Sequence, residues 1–395
     1  MKTDSSRRNF LAAGLSLPVA GMASATAPQA PPAKAPRPPS AEASSARYRT
    51  LGKTGLKVST VGYGCMITSD ASVISRAVDM GITYFDTARG YQSGNNERMV
   101  GAALKASRSK IVLSSKSEAK TAPEAVAELN TSLKELGTDY LDIWYMHSRD
   151  TVAAIPDELV AVWENAKKQG KIRHIAISTH NPAAIVDRVL QVGKFEVVLS
   201  TYNFTVGAAN DAAYKKLVDA GIGMVAMKVM APASRAGGFS NLPGFRADRM
   251  DRTQKPGGPV AALKWVLRDQ RFATTIPSMT DVDQLEMNFR AMSEPFTAAD
   301  EKILAQLNEE VRPLYCRMCH QCSGQCPKGV PVPDTIRYLS YADFYGQFAL
   351  GREHFLALPE EARAVRCRDC ASCEVHCPNG VHVAERLMRA QELFA

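Results

Sequence analysis

The sequence predicts a (β/α)8 barrel followed by a small, mainly helical domain built around two cysteine runs. Three observations carry that prediction. Between Arg47 and about Arg312, eight short β-branched runs alternate with helix-length amphipathic segments. The runs are apolar nearly throughout, as strands buried on both faces of a parallel sheet are. Past Arg312 the alternation stops, and eight of the nine cysteines fall in two short stretches. The 395 residues accommodate one domain of about 250 residues and a smaller one.

In chain order, residues 1–25 read as a targeting segment. Arg7-Arg8 precedes a mildly apolar stretch from Phe10 to Met22, and Ala23-Ser24-Ala25 offers small residues for cleavage before Thr26. Ser6-Arg7-Arg8-Asn9-Phe10-Leu11 resembles the twin-arginine export signal, which implies a translocase for folded proteins as a partner and a periplasmic or otherwise exported destination. Residues 26–46, rich in Pro and Ala, read as a semi-rigid linker. No other stretch is apolar enough for a membrane span, so no stable span is expected after cleavage. The formal charge is +8 with a pI near 9.0, but the cations are scattered without interleaved aromatics. Nucleic-acid binding is therefore not expected.

Residues 47–312 form the predicted barrel. Its strands are read from VSTVGYG, ITYFDTA, KIVLSSK, LDIWYMH, IRHIAIS, VVLSTYN, GMVAMKV and TTIPSM. Helices are read over segments such as 123–136, 158–169 and 259–268. A doubly wound open sheet would carry a Gly-x-Gly-x-x-Gly turn after an early strand, and GYGCMI does not continue that way. Polar residues gather at the C-terminal ends of the strands, where a barrel builds its site. Asp86 closes the second run with Tyr91 on the loop beyond, Lys116 closes the third and His147 the fourth.

Asp86-x4-Tyr91, Lys116 after KIVLSS and His147 in YLDIWYMHSRD resemble the Asp-Tyr-Lys-His tetrad of the aldo-keto reductases. The openings YRTLGKTGLKVSTVGYG and YFDTARGYQSGNNERMVGAAL are similar to that family as well. The chemistry also follows from the groups themselves. Hydride delivery to a carbonyl builds negative charge on oxygen, so a proton donor must stand beside it. Tyr91 is the expected acid, Lys116 the cation that lowers its pKa, Asp86 the counter-ion of Lys116, and His147 the residue that orients the carbonyl.

The resemblance implies a nicotinamide cofactor, NAD or NADP, beside Gly64 and Cys65, with Ser178, Thr179, Met227, Lys228, Ser278 and Asn288 around it. The pattern thins there. Leu199 stands where relatives carry glutamine, Met227 where many carry an aromatic, and Ser278 and Gln284 where NADP-specific relatives carry cations. Three readings stay open: NAD use, a weaker dinucleotide site held by other residues, or another redox cofactor such as a flavin.

Residues 313–395 carry YCRMCHQCSGQCPKG and RCRDCASCEVHCPNG. Zinc and disulfides are the alternatives for such cysteines, but three at equal spacing followed by x3-Cys-Pro, twice, resemble the bacterial ferredoxin run. That resemblance implies two 4Fe–4S clusters, one on Cys316, Cys319, Cys322 and Cys377, the other on Cys367, Cys370, Cys373 and Cys326. The spacer from 333 to 365 has helical apolar spacing, so the module resembles helical two-cluster ferredoxin domains. The expectation is an exported reductase acting on a small carbonyl or alcohol, its clusters relaying electrons to or from a redox partner protein. The rival is a non-catalytic electron-transfer or partner-binding protein on a reductase-like barrel.

Overall fold

The computed structural model describes residues 46–206, 210–233 and 257–395. The described residues belong to one compact unit spanning Ser44–Ala395. Arg7, Arg8, the Ala23-Ser24-Ala25 site and linker residues 26–45 lie outside the described residues.

A hairpin of β1 (Tyr48–Thr50) and β2 (Lys57–Ser59) precedes eight parallel strands: β3 (Tyr63–Gly64), β4 (Tyr84–Asp86), β5 (Val112–Ser117), β6 (Leu141–Met146), β7 (Ile172–Thr179), β8 (Val197–Thr201), β9 (Gly223–Met227) and β10 (Phe272–Thr275). They neighbour one another in sequence order. Bridges Val61↔Thr275 and Gly64↔Ser278 bring the last strand back to the first. This is the expected (β/α)8 barrel. Its helices are α1 (Ala71–Asp79), α2 (Asn95–Leu104), α3 (Ala122–Leu136), α4 (Asp157–Lys168), α5 (Pro182–Val192), α6 (Asp211–Asp219), α7 (Gly258–Leu267) and α8 (Val282–Ala291), with α9 (Ala298–Val311) leading out.

The first apolar run divides between two sheets, which its uniform composition concealed. Its start pairs with β1, and its end enters the barrel as β3. Gly64 makes the closure feasible, because a Cβ there would stand 2.5 Å from the Ile276 carbonyl oxygen. Leu51, carried by the hairpin connection, belongs to the core inside the barrel, with Val58, Tyr84, Val112, Ile143, Tyr145, Ala176, Val197, Leu199, Val225 and Ala273. A larger layer fills the space between strands and helices, where Trp163 of α4 stacks on Trp144 of β6 at 3.9 Å.

Beyond α9 the chain is helical: α10 (Val332–Tyr345), α11 (Phe348–Leu356), α12 (Glu360–Ala364) and α13 (Val383–Phe394). The spacer between the cysteine runs thus forms helices, as its periodicity predicts. Arg386 and Arg389 of α13 both grip Asp343 of α10. Gly351 lets α11 cross closely, since a Cβ there would approach the Tyr338 carbonyl oxygen to 2.7 Å. Among the described residues no helix is long and apolar enough to cross a membrane.

Candidate active site at the barrel mouth

Strand alternation aims the polar residues. Tyr84, Val112, Ile143 and Tyr145 point into the barrel, whereas Phe85, Leu113, Trp144 and Met146 pack outward against the helices. A period of two therefore turns Asp86, Lys116 and His147 inward, one layer above Tyr84, Ser114 and Tyr145. The parallel ladder fixes their heights, pairing Asp86 with Ser114 and Lys116 with Tyr145.

The loop bearing Tyr91 is tied to the same strand. Thr87 N donates to Ser114 O at 3.0 Å and Arg89 N to Lys116 O at 3.1 Å. Arg89 also pairs with the buried Glu97, which accepts from Ser115 Oγ at 2.6 Å. Lys116 Nζ then donates to Asp86 Oδ2 at 2.5 Å, to Thr87 O at 2.7 Å and to Tyr91 Oη at 3.3 Å. The imidazole of His147 stands edge-on to the Tyr91 ring, centroids 6.1 Å apart. Four side chains from three strand ends and one loop converge.

The electrostatics differ from the sequence expectation in one respect. The Tyr91 phenol lies well above its ordinary value of 10, because burial raises it and the charges of Asp86 and Glu118 add to the effect. Tyr91 therefore holds its proton. Glu118, two residues beyond Lys116, stands 3.0 Å from His147 Nδ1. That contact holds its carboxyl down at about 2.

The residues expected around a nicotinamide are dispersed. Cys65 is wholly buried in the outer layer, with its thiol pushed well up by burial. Ser178 Oγ accepts from Ser148 N at 2.8 Å, and Thr179 Oγ1 donates to Asp150 Oδ1 at 3.0 Å. Met227 packs against the interior core at the end of β9, and Lys228 follows it. Ser278 joins the barrel closure beside Gly64, while Gln284 caps the start of α8 through Thr280 and Asp281. Asn288 is 2% exposed, and its Nδ2 has no hydrogen-bond partner among the described residues. An orphaned amide donor is costly unless something brings it an acceptor. A dinucleotide fits at Asn288, whereas the hydroxyls of Ser178 and Thr179 already have partners in the protein.

Sequence reasoning missed what covers the mouth. From α10, Arg337 donates to Asp150 Oδ2 at 2.7 Å and to His180 Nδ1 at 3.0 Å. His180 accepts this bond, and burial beside Arg337 lowers it to about 3, so it is neutral. Burial would raise Asp150, but the Arg337 guanidinium and the His180 backbone N–H, donating to Oδ1 at 2.6 Å, reverse this and hold it well below the carboxylate range. Thr201 Oγ1 donates to Met318 Sδ at 3.5 Å. Tyr341 of α10 lies within electrostatic reach of Tyr91 and Glu118. Tyr338, Tyr341 and Tyr345 are spaced as one face of a helix, a signal readable in the sequence, although not their partner surface.

The eight cysteines of the C-terminal runs require a correction. They lie on loops and one short helical turn. Burial and the neighbouring thiols Cys322, Cys319 and Cys377 push Cys316 up to about 12. Burial, with Cys370, Cys326 and Cys373 nearby, raises Cys367 as well. Cys316 Sγ accepts from Met318 N at 3.3 Å, and Cys319 Sγ from Asn379 Nδ2 at 3.2 Å. Among the described residues, no group of three or more His, Cys, Asp or Glu side chains is placed to hold a metal ion. The expected pair of 4Fe–4S clusters, on Cys316, Cys319, Cys322 and Cys377 and on Cys367, Cys370, Cys373 and Cys326, is withdrawn on that finding. So are the ferredoxin-type assignment of this helical region and the relay of electrons through the clusters to or from a partner.

A parallel eight-stranded barrel with ionisable groups converging at its C-terminal mouth has the architecture of a (β/α)8 enzyme. A family model described as the aldo/keto reductase family matches residues 68–309, and the chain belongs to that family. A second model, described as a 4Fe-4S dicluster domain, matches residues 315–382, the stretch whose side chains form no ligand set. The chain is 27% identical over 308 residues to probable aldo-keto reductase 1 of Glycine max, covering 66% of this chain and 88% of that one. It is 27% identical over 305 residues to L-galactose dehydrogenase of Arabidopsis thaliana, covering 67% and 94%. Among solved structures it resembles an aldo-keto reductase of Bacillus halodurans in its holo form. That match has a TM-score of 0.55 and 26% identity, covering 66% of this chain and 96% of that one.

Proposed function

We propose that the protein interconverts a small carbonyl compound and its alcohol, with Tyr91 as the proton donor in reduction and acceptor in oxidation. The observation that carries this reading is the chain of contacts from Asp86 through Lys116 Nζ to Tyr91 Oη, at 2.5 and 3.3 Å, with His147 beside the phenol. Membership of a reductase family and similarity to a protein named as a dehydrogenase support it.

A nicotinamide dinucleotide, NAD or NADP, would supply or accept the hydride. Asn288, Ser278 and Met227 are the residues proposed to hold it, with Ser178 and Thr179 lining the approach. Ser278 and Gln284 carry no charge, so these positions offer no charge-assisted contact to a 2′-phosphate. His147 orients the carbonyl oxygen by hydrogen bonding. As that oxygen gains charge it takes the Tyr91 proton, and Lys116 stabilises the phenolate left behind. Asp86 holds Lys116 in place through their buried ion pair. The surroundings keep the Tyr91 phenol protonated at rest, the form a donor needs.

Replacing Tyr91→Phe removes the transferable proton while keeping the ring. We expect kcat for aldehyde reduction to fall by about 10²–10⁴-fold with the melting temperature unchanged. Full activity in a folded Tyr91→Phe protein would contradict the assignment.

A further inference from the structure

We propose that Lys228 is a receptor for an anionic group, a carboxylate or phosphate, carried by the carbonyl substrate. This inference rests on the reductase reading above and deepens it. Lys228 follows β9 directly at the C-terminal mouth, with a left-handed backbone at φ 58°. That conformation is unfavourable for a side chain with a Cβ, and Asn203 helps hold it, Nδ2 donating to Lys228 O at 3.1 Å. Strain of this kind concentrates where a side chain must be aimed.

The ammonium lies 4.6 Å from the ring centre of Tyr341 and 5.0 Å from that of Tyr345. Aromatic faces attract a cation but leave its three N–H donors without acceptors. Other cations around the mouth have oxygen partners: Lys116 has Asp86, Arg337 has Asp150 and Asp334, and Arg149 donates to the Ala119 carbonyl. Among the described residues Lys228 has neither an ion pair nor a hydrogen bond. The charged and titratable groups facing it are Arg337, Tyr341 and Tyr345 from α10, with Asp150 and His180 beyond β6 and β7. Asp150 is taken by Arg337, and His180 is neutral.

Burial, with Arg337 adding to it, lowers Lys228 to about 7, against the opposing pull of Asp150. Lys228 is half-buried, and a partly desolvated cation gains from an arriving anion. Tyr341 connects the two ends of the mouth, with the Lys228 ammonium over its ring and Tyr91 within its electrostatic reach. A short substrate lying along Tyr341 would present its carbonyl to Tyr91 and its anion to Lys228.

The test uses the full chain and its Lys228→Met and Lys228→Arg variants. Succinic semialdehyde and butanal present the same aldehyde with and without a carboxylate. The ratio of their kcat/KM values should fall by about tenfold or more in Lys228→Met, as loss of a charge-assisted contact implies, and recover in Lys228→Arg. Calorimetry with succinate, in the absence of dinucleotide, should show binding at pH 6 that weakens as the ammonium deprotonates through about 7 and is lost in Lys228→Met. An unchanged ratio, or succinate binding that is absent or indifferent to Lys228→Met, overturns the proposal. Equal loss for both aldehydes, with weakened dinucleotide binding, overturns it in favour of a cofactor phosphate. If the wild type turns over neither aldehyde yet binds succinate through Lys228, the reductase reading falls and the anion receptor stands.

Discussion

The barrel mouth and the cysteine loops carry comparable densities of reactive side chains, and the fold treats them differently. At the mouth, Asp86 and Lys116 sit on strands whose ladder fixes their height to within one residue pair. Their geometry is set by the backbone before any substrate arrives. In the C-terminal region the thiols sit on loops and one short helical turn, and no ligand set closes among the described residues. Side chains on regular elements are held more precisely than side chains on loops, unless the loop is itself tied down as the one bearing Tyr91 is.

Lys116→Met strikes the mouth hardest. It removes the cation beside Tyr91 and strands Asp86, with both side chains only 1% exposed. Steady-state assays should show a loss of about 10²–10⁴-fold. Chemical denaturation should show a loss of about 3–5 kcal/mol, the usual effect of breaking a buried pair.

Arg337→Leu probes the cover instead. Losing its charged hydrogen bonds to Asp150 should lower stability by about 2 kcal/mol. Hydrogen exchange should quicken along α10 while strands β4 to β6 stay protected. Equal quickening in the barrel would show that the two regions are not separable.

Acid should affect the cover too. Asp150 and Asp343 both have folded pKa values below the ordinary carboxylate value of 3.8. The stability they contribute is thus fully present above their unfolded values of about 4, and it is lost as pH falls through the folded values. Asp343→Asn should flatten the decline in melting temperature below about pH 4. The smallest effect belongs to Thr297→Ala, which removes the N-cap of α9. About 1 kcal/mol of stability should be lost, with activity unchanged.

The barrel was legible because burial on both strand faces writes a continuous apolar run, and all eight runs supply strands. Helices α3, α4 and α7 begin and end within a residue of the expected segments. The first run misled, since its apolar composition does not reveal that two sheets share it, and the last was set too late, since β10 takes in only its first two residues. The tetrad was legible because strand-end position is a local property. The contact between Asp150 and Arg337 spans 187 residues, and nothing local to either residue predicts the other. The net rise of Tyr91 was equally hidden, because it depends on burial and on the charges of Asp86 and Glu118.

Deuteride transfer tests the central claim most directly. Full-length protein would be given a reduced dinucleotide labelled at the transferable hydrogen together with an aldehyde, and the product alcohol analysed by mass. The account predicts one deuterium on the former carbonyl carbon, at a rate that falls by about 10²–10⁴-fold in Tyr91→Phe. Unlabelled alcohol, or a rate indifferent to Tyr91, would contradict it.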